Sequence, residues 1–138
     1  MGSNIKVGDI MIKNIITIEK VSSIVDAAKL MKENSIGSVI ITEGNKAVGI
    51  VTERDIVRKA VASGSIDKNV EDIMSSPIIV ITPENSLEEA AKAMRQNKIK
   101  RLVVIGEGEE LVGIISEDDI VKVLPSLIDL VEEKARIE

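Results

Sequence analysis

Ten residues near the start of the chain, Val7-Gly-Asp-Ile-Met-Ile-Lys-Asn-Ile-Ile, return 63 positions later as Val70-Glu-Asp-Ile-Met-Ser-Ser-Pro-Ile-Ile. The echo continues: Ile24-Val-Asp-Ala-Ala-Lys-Leu-Met recurs from Leu87 as Leu-Glu-Glu-Ala-Ala-Lys-Ala-Met, and Val48-Gly-Ile-Val-Thr-Glu-Arg-Asp-Ile-Val recurs from Val112 as Val-Gly-Ile-Ile-Ser-Glu-Asp-Asp-Ile-Val. A two-fold repeat in a chain of 138 residues predicts two half-domains about one pseudo-dyad, with any ligand sites near their join.

Within each repeat the hydrophobic period switches between strand-like runs and helical spacing, which predicts short strand, helix, strand, strand, helix. In the first repeat Ile15 to Ile18 is a short apolar run. Ser23 with Asp26 three residues on fits a helix N-terminus, and Ile24, Ala27, Ala28 and Met31 fall on one face of a helix ending near Asn34. The second repeat does the same with Ser86, Glu89, Leu87, Ala90, Ala91 and Met94, ending near Asn97. Two apolar runs about a polar turn follow in each half, 39–42 with 48–51 and 102–105 with 111–115, and predict hairpins. A second helix is expected over about 53–62 and 117–124. The linker 63–69 joins the halves, and 126–136 carries Leu127, Leu130 and Val131 on one helical face, so a short amphipathic tail helix is expected, covering an exposed core edge or, on the functional reading, making a dimer or partner contact.

Composition narrows the function. The chain has 18 basic and 23 acidic residues and no Phe, Tyr or Trp, which argues against nucleic acid: neither a cationic surface nor a stacking platform is supplied. His and Cys are absent, which removes the most versatile proton-transfer and nucleophilic side chains and any disulfide, and no spacing matches a hydrolase, a Walker loop or a zinc site. The expectation is a protein that is not an enzyme. Apolar runs are too short to cross a bilayer and no charged-then-apolar leader opens the sequence, so a cytoplasmic location is expected.

The string Gly49-Ile-Val-Thr-Glu-Arg-Asp-Ile56 and its echo Gly113-Ile-Ile-Ser-Glu-Asp-Asp-Ile120 resemble the signature of CBS (cystathionine beta-synthase) domains. Both are preceded by an Asp-Ile-Met opening, an Ala-Ala helix and a hairpin in the same order. The resemblance implies a Bateman module: an α/β (α+β) fold of two pseudo-symmetric motifs, each a small sheet with two helices, over 7–63 and 70–125, with 126–138 as a tail. It further implies a regulatory module that binds an adenosyl ligand (AMP, ADP, ATP, NAD or S-adenosylmethionine, the first three foremost) in the cleft between the motifs and reports to a partner protein. A homodimer is also implied.

On this reading Thr52 and Asp55 hold one ligand. The hydroxyl sits beside the amides of a helix N-terminus as a phosphate seat, and the carboxylate accepts the ribose hydroxyls. Lys100 and Arg101 meet the phosphates and Ile78, Ile79 and Val80 lie near adenine. The pseudo-symmetric set is Ser116 and Asp119 with Ile15, Ile16, Thr17, Gly37 and Ser38, where no basic residue stands. The competing expectation is an interaction scaffold in which Thr52-x-x-Asp55 and Ser116-x-x-Asp119 act only as helix caps.

Overall fold

The computed structural model describes residues 5–123, and the expected tail helix lies outside them. Element order is α1 (Val7–Ile10), β1 (Thr17–Glu19), α2 (Ile24–Asn34), β2 (Ser38–Glu43), β3 (Lys46–Thr52), α3 (Glu53–Asp55), β4 (Val80–Ile81), α4 (Leu87–Asn97), β5 (Arg101–Ile105), β6 (Leu111–Ser116) and α5 (Glu117–Lys122). A π-helical stretch, Ile56–Val61, prolongs α3, and a 3₁₀ turn spans Val70–Asp72. The mixed α/β architecture expected from the repeat is what the chain adopts. The first strand begins two residues later than the apolar run at Ile15 suggests, and the second helix of repeat one leaves α geometry at Ile56, where Ala62 N–H reaches back five residues to Val57 C=O (2.9 Å).

The described residues form two compact units: 14–79 in one, and 5–13 with 80–123 in the other. Each carries a three-stranded sheet of the same topology. In the first, β1 runs parallel to β2 and β2 antiparallel to β3; in the second, β4, β5 and β6 repeat the arrangement. The pairing places Ser38 opposite Thr52 and Arg101 opposite Ser116.

Burial does not alternate along the central strands: residues 39–42 and 102–104 are continuous buried runs, so side chains on both faces of each sheet are withdrawn from water. In the 14–79 unit Val39, Ile41 and Val51 join the α2 stripe Ile24, Ala27 and Met31 and the later Ile56 and Ala60 in one core. Leu87, Ala90 and Met94 of α4 and Leu102, Val104 and Ile115 are their buried counterparts in the other unit. Each Val, Leu, Ile or Met side chain among them contributes roughly 1.5–3 kcal/mol on leaving water, and each Ala methyl less.

The Asp-Ile-Met openings fold onto the copy of the repeat they do not precede. Val7 N–H donates to Asn85 C=O (2.8 Å), Gly8 N–H to Pro83 C=O (2.9 Å), and Ile12 exchanges backbone hydrogen bonds with Ile114 (2.8 and 3.0 Å). Reciprocally, Val70 N–H donates to Ser22 C=O (2.9 Å) and Ser75 exchanges bonds with Ile50 (2.9 and 3.1 Å). The acid of each opening caps its own short turn: Asp9 Oδ2 accepts Lys6 N–H (2.9 Å) and Asp72 Oδ2 accepts Asn69 N–H (3.0 Å).

Candidate functional site

Thr52 ends β3 in extended geometry and starts the following helix. Its Oγ1 accepts Asp55 N–H (3.1 Å), and Asp55 Oδ2 accepts Thr52 N–H (2.9 Å). Ser116 and Asp119 repeat the exchange at 3.1 and 2.9 Å. Both pairs are therefore reciprocal caps, the device also built by Ser86 with Glu89. Thr52 is buried and only 13% of the Asp55 side chain is exposed.

Two amides expected to be available at the first helix start are already used. Glu53 N–H donates to Gly37 C=O (3.0 Å), and Asp55 N–H is held by Thr52. In the other unit Glu117 N–H likewise donates to Lys100 C=O (2.8 Å). The physical reason is the same in both: the turn entering the hairpin crosses the helix start, and its carbonyl satisfies an amide that the helix itself cannot. The hydroxyl hydrogens and the second carboxylate oxygens are what each cap can still offer a ligand.

The two carboxylates differ in one respect. Asp55 Oδ1 pairs with Lys59 Nζ one turn on (3.2 Å), and the same ammonium donates to Ile73 C=O (3.2 Å). At the equivalent position after Asp119 stands Val123, and among the described residues no ion pair to Asp119 is present. Lys59 was not among the candidates, although Asp-x-x-x-Lys at helical spacing signals such a pair.

Of the sequence candidates, Ile15, Ile16, Thr17, Gly37, Ser38, Thr52, Asp55, Ile78 and Ile79 belong to the 14–79 unit, and Val80, Lys100, Arg101, Ser116 and Asp119 to the other. Within the first, Ser38 lies across the strand pair from Thr52, and Ile16 C=O accepts Ile40 N–H (3.0 Å) beside Thr17. Within the second, Arg101 lies across from Ser116, while Lys100 is exposed and Val80 pairs with Val103. Among the described residues no cluster of carboxylates could hold a metal ion, and no helix is long and apolar enough to cross a membrane.

The two copies of the repeat, each with a strand–Thr/Ser cap–Asp corner, match a known family: residues 7–62 and 70–126 both fit the CBS domain. The chain is a CBS-domain protein. An uncharacterized protein of Methanocaldococcus jannaschii is 47% identical over 136 residues, covering 97% of this chain and 70% of that one. This chain spans 22% of an inosine-5'-monophosphate dehydrogenase from Korarchaeum cryptofilum that is 36% identical over 110 residues, and 73% of an uncharacterized 17.7 kDa protein of Acidianus ambivalens that is 34% identical over 120 residues. Among solved structures, the CBS domain pair of protein MJ0100, crystallised with 5′-methylthioadenosine and S-adenosyl-L-methionine, is 31% identical with a TM-score of 0.77, covering 88% of this chain and 96% of that one. A hexameric CBS-CP12 protein from bloom-forming cyanobacteria is 35% identical with a TM-score of 0.75, covering 96% and 84%.

Proposed function

We propose that this CBS pair is a regulatory module that binds an adenosyl ligand and passes its occupancy to a partner protein, as a homodimer. The likeness to a CBS pair whose crystals hold 5′-methylthioadenosine and S-adenosyl-L-methionine carries the reading. AMP, ADP and ATP remain the first ligands to try, because Lys100 and Arg101 offer cations for phosphate. Thr52, Asp55, Ser116 and Asp119 are the proposed hydroxyl and ribose partners. Ile78 to Val80 and Ile15 to Thr17, with Gly37 and Ser38, are the proposed surroundings of the base.

The test is a thermal-shift panel of AMP, ADP, ATP, NAD, S-adenosylmethionine and 5′-methylthioadenosine, followed by circular dichroism because the chain has no aromatic reporter. A ligand at 100 times its dissociation constant adds about 2.7 kcal/mol of stability. A shift abolished by Asp55→Ala or Asp119→Ala supports the reading; no shift with any ligand defeats it.

One observation favours the scaffold reading. The Thr52/Asp55 and Ser116/Asp119 exchanges have the geometry of the Ser86/Glu89 cap, for which no ligand role is suggested. On that reading the cap variants lose stability and no ligand response exists to be lost. Light scattering that finds only monomer at micromolar concentration removes the homodimer from either reading.

A further inference from the structure

Lys59 closes a ring of contacts within the 14–79 unit. Its ammonium pairs with Asp55 Oδ1 and donates to Ile73 C=O, each at 3.2 Å. Two residues past Ile73, Ser75 exchanges backbone hydrogen bonds with Ile50 of β3 (2.9 and 3.1 Å), and Met74 between them packs on Gly49. The strand β3 then ends at Thr52, whose N–H returns to Asp55 Oδ2 (2.9 Å). Lys59 is the weak member of the ring: 47% of its side chain is exposed, against 13% for Asp55, and Ile73 is buried. The twin repeat is built differently at this point. Val123 stands where Lys59 does, and α5 keeps α geometry, whereas Lys59 lies inside the π-helical stretch Ile56–Val61. Widened turns of that kind are rare and recur at functional sites, and here one coincides with the residue that makes the link.

The ring gives a ligand at Asp55 a consequence beyond the corner itself. A carboxylate oxygen shared with an incoming hydroxyl holds the ammonium less firmly, because its charge then serves two donors. An ammonium that lets go leaves the carbonyl of a buried residue without its donor, which loosens the turn that presents it. That turn opens the stretch 73–79, which leads along the chain out of this unit to Val80, where the other resumes. We infer that Lys59 relays occupancy of the Thr52/Asp55 corner to the segment that follows Ile73, and that the Ser116/Asp119 corner has no such relay. The relay rests on the ligand reading and adds direction to it: a donor at Asp55 Oδ1 frees Lys59, the Ile73 carbonyl is released, and Met74 and Ser75 slacken against β3. Of two corners alike in their caps, one signals and the other binds silently.

Amide hydrogen exchange of the full chain, read by NMR, tests the relay in two arms. Without ligand, Asp55→Asn and Lys59→Met are each expected to speed exchange of the Met74 and Ser75 amides about fivefold, the worth of one hydrogen bond. The Ile40 amide, bonded to Ile16 C=O in the same unit, should keep its rate, and Lys122→Met in the twin helix should leave the Met11 and Ile12 amides unchanged. Equal speeding at Ile40 would be general loosening and overturns the relay, as does no speeding at Met74 and Ser75. The second arm adds 5′-methylthioadenosine or AMP in the Asp119→Ala background, so that only the Asp55 corner is filled, with calorimetry reporting saturation. Bound ligand is expected to speed the Met74 and Ser75 amides, and further adding Lys59→Met should keep binding while abolishing the response. Ligand bound without that response, or the same response without Lys59, overturns the relay and leaves binding intact. No binding of either compound defeats the ligand reading, and the relay falls with it.

Discussion

Met11 packs directly over Gly113: a Cβ built on Gly113 would lie 2.8 Å from Met11 Sδ and 2.9 Å from the Ile12 carbonyl oxygen. The same relationship joins Met74 to Gly49, whose Cβ would lie 2.8 Å from Met74 Cγ. The glycine of the signature string and the methionine of the Asp-Ile-Met opening are thus two halves of one contact, each needing the other's shape.

Gly113→Ala is expected to destabilise the fold by about 2 kcal/mol, the cost of overpacking against a backbone oxygen that cannot move aside. Met11→Ala added to it should recover only part of the loss, because the carbonyl contact persists. Denaturant melts of the single and double variants measure both. A neutral Gly113→Ala would show that the contact is loose.

Removing a cap carboxylate should cost stability whether or not a ligand binds. Asp119→Ala is expected to lose about 1 kcal/mol, as caps do, and Asp55→Ala more, because it also removes the ion pair that the largely buried Asp55 carboxylate makes with Lys59. The ranking is read by urea melts without ligand. Equal losses would mean that the Asp55–Lys59 pair contributes nothing.

Much of the local structure was legible in the sequence because it is set by near neighbours. Ser23, Thr52, Ser86 and Ser116 each sit at a helix start and accept the expected amide, and both hairpins fall on their apolar runs. Ser23 differs in one detail: its hydroxyl accepts Asp26 N–H, without the return bond that the other three caps make. The exchange of openings was not legible. The sequence repeat shows that Ile12 and Ser75 play matching roles, but pairing Ile12 with Ile114 rather than with its own hairpin is settled by packing over a hundred residues. At the candidate site the Thr/Ser and Asp positions could be read, whereas the occupied amides could not, because the carbonyls of Gly37 and Lys100 that use them arrive from a turn with no signature of its own.

Stability should be flat across neutral pH and fall at both extremes. Neither His nor Cys is present to titrate in between. A side-chain hydrogen bond from Lys20, and then its charge, hold the Glu43 carboxyl below its ordinary value of 4.5, and the Ser86 backbone N–H, with Asn85, does the same for Glu89. Carboxylates depressed in the folded state contribute above about pH 4.5 and lose that contribution as pH falls through the folded value. Lys20 is raised above 10.5 by its hydrogen bond to Glu43, so its contribution is complete below that pH and is lost as pH rises through the folded value. Glu89→Gln should flatten the acid limb of a melting-temperature profile and leave the alkaline limb alone. An unchanged acid limb would remove Glu89 from this account.

Lys59 offers the sharpest separation of the ligand and scaffold readings. Its ammonium holds Asp55 Oδ1 and the Ile73 carbonyl together, tying the helix of the first signature string to the 3₁₀ turn of the second opening. A ribose hydroxyl approaching Asp55 must share that oxygen with the cation, so Lys59→Met leaves a carboxylate whose full charge is available to the sugar, and hydrogen bonds to a charged acceptor are the strong ones. Binding of uncharged 5′-methylthioadenosine is expected to tighten several-fold in Lys59→Met, while the variant's ligand-free stability drops by about 1 kcal/mol through the unpartnered Ile73 carbonyl. Calorimetric titration and a melt of the same sample read the two effects separately. Loss of stability with no change in affinity would leave Asp55 as a cap and nothing more.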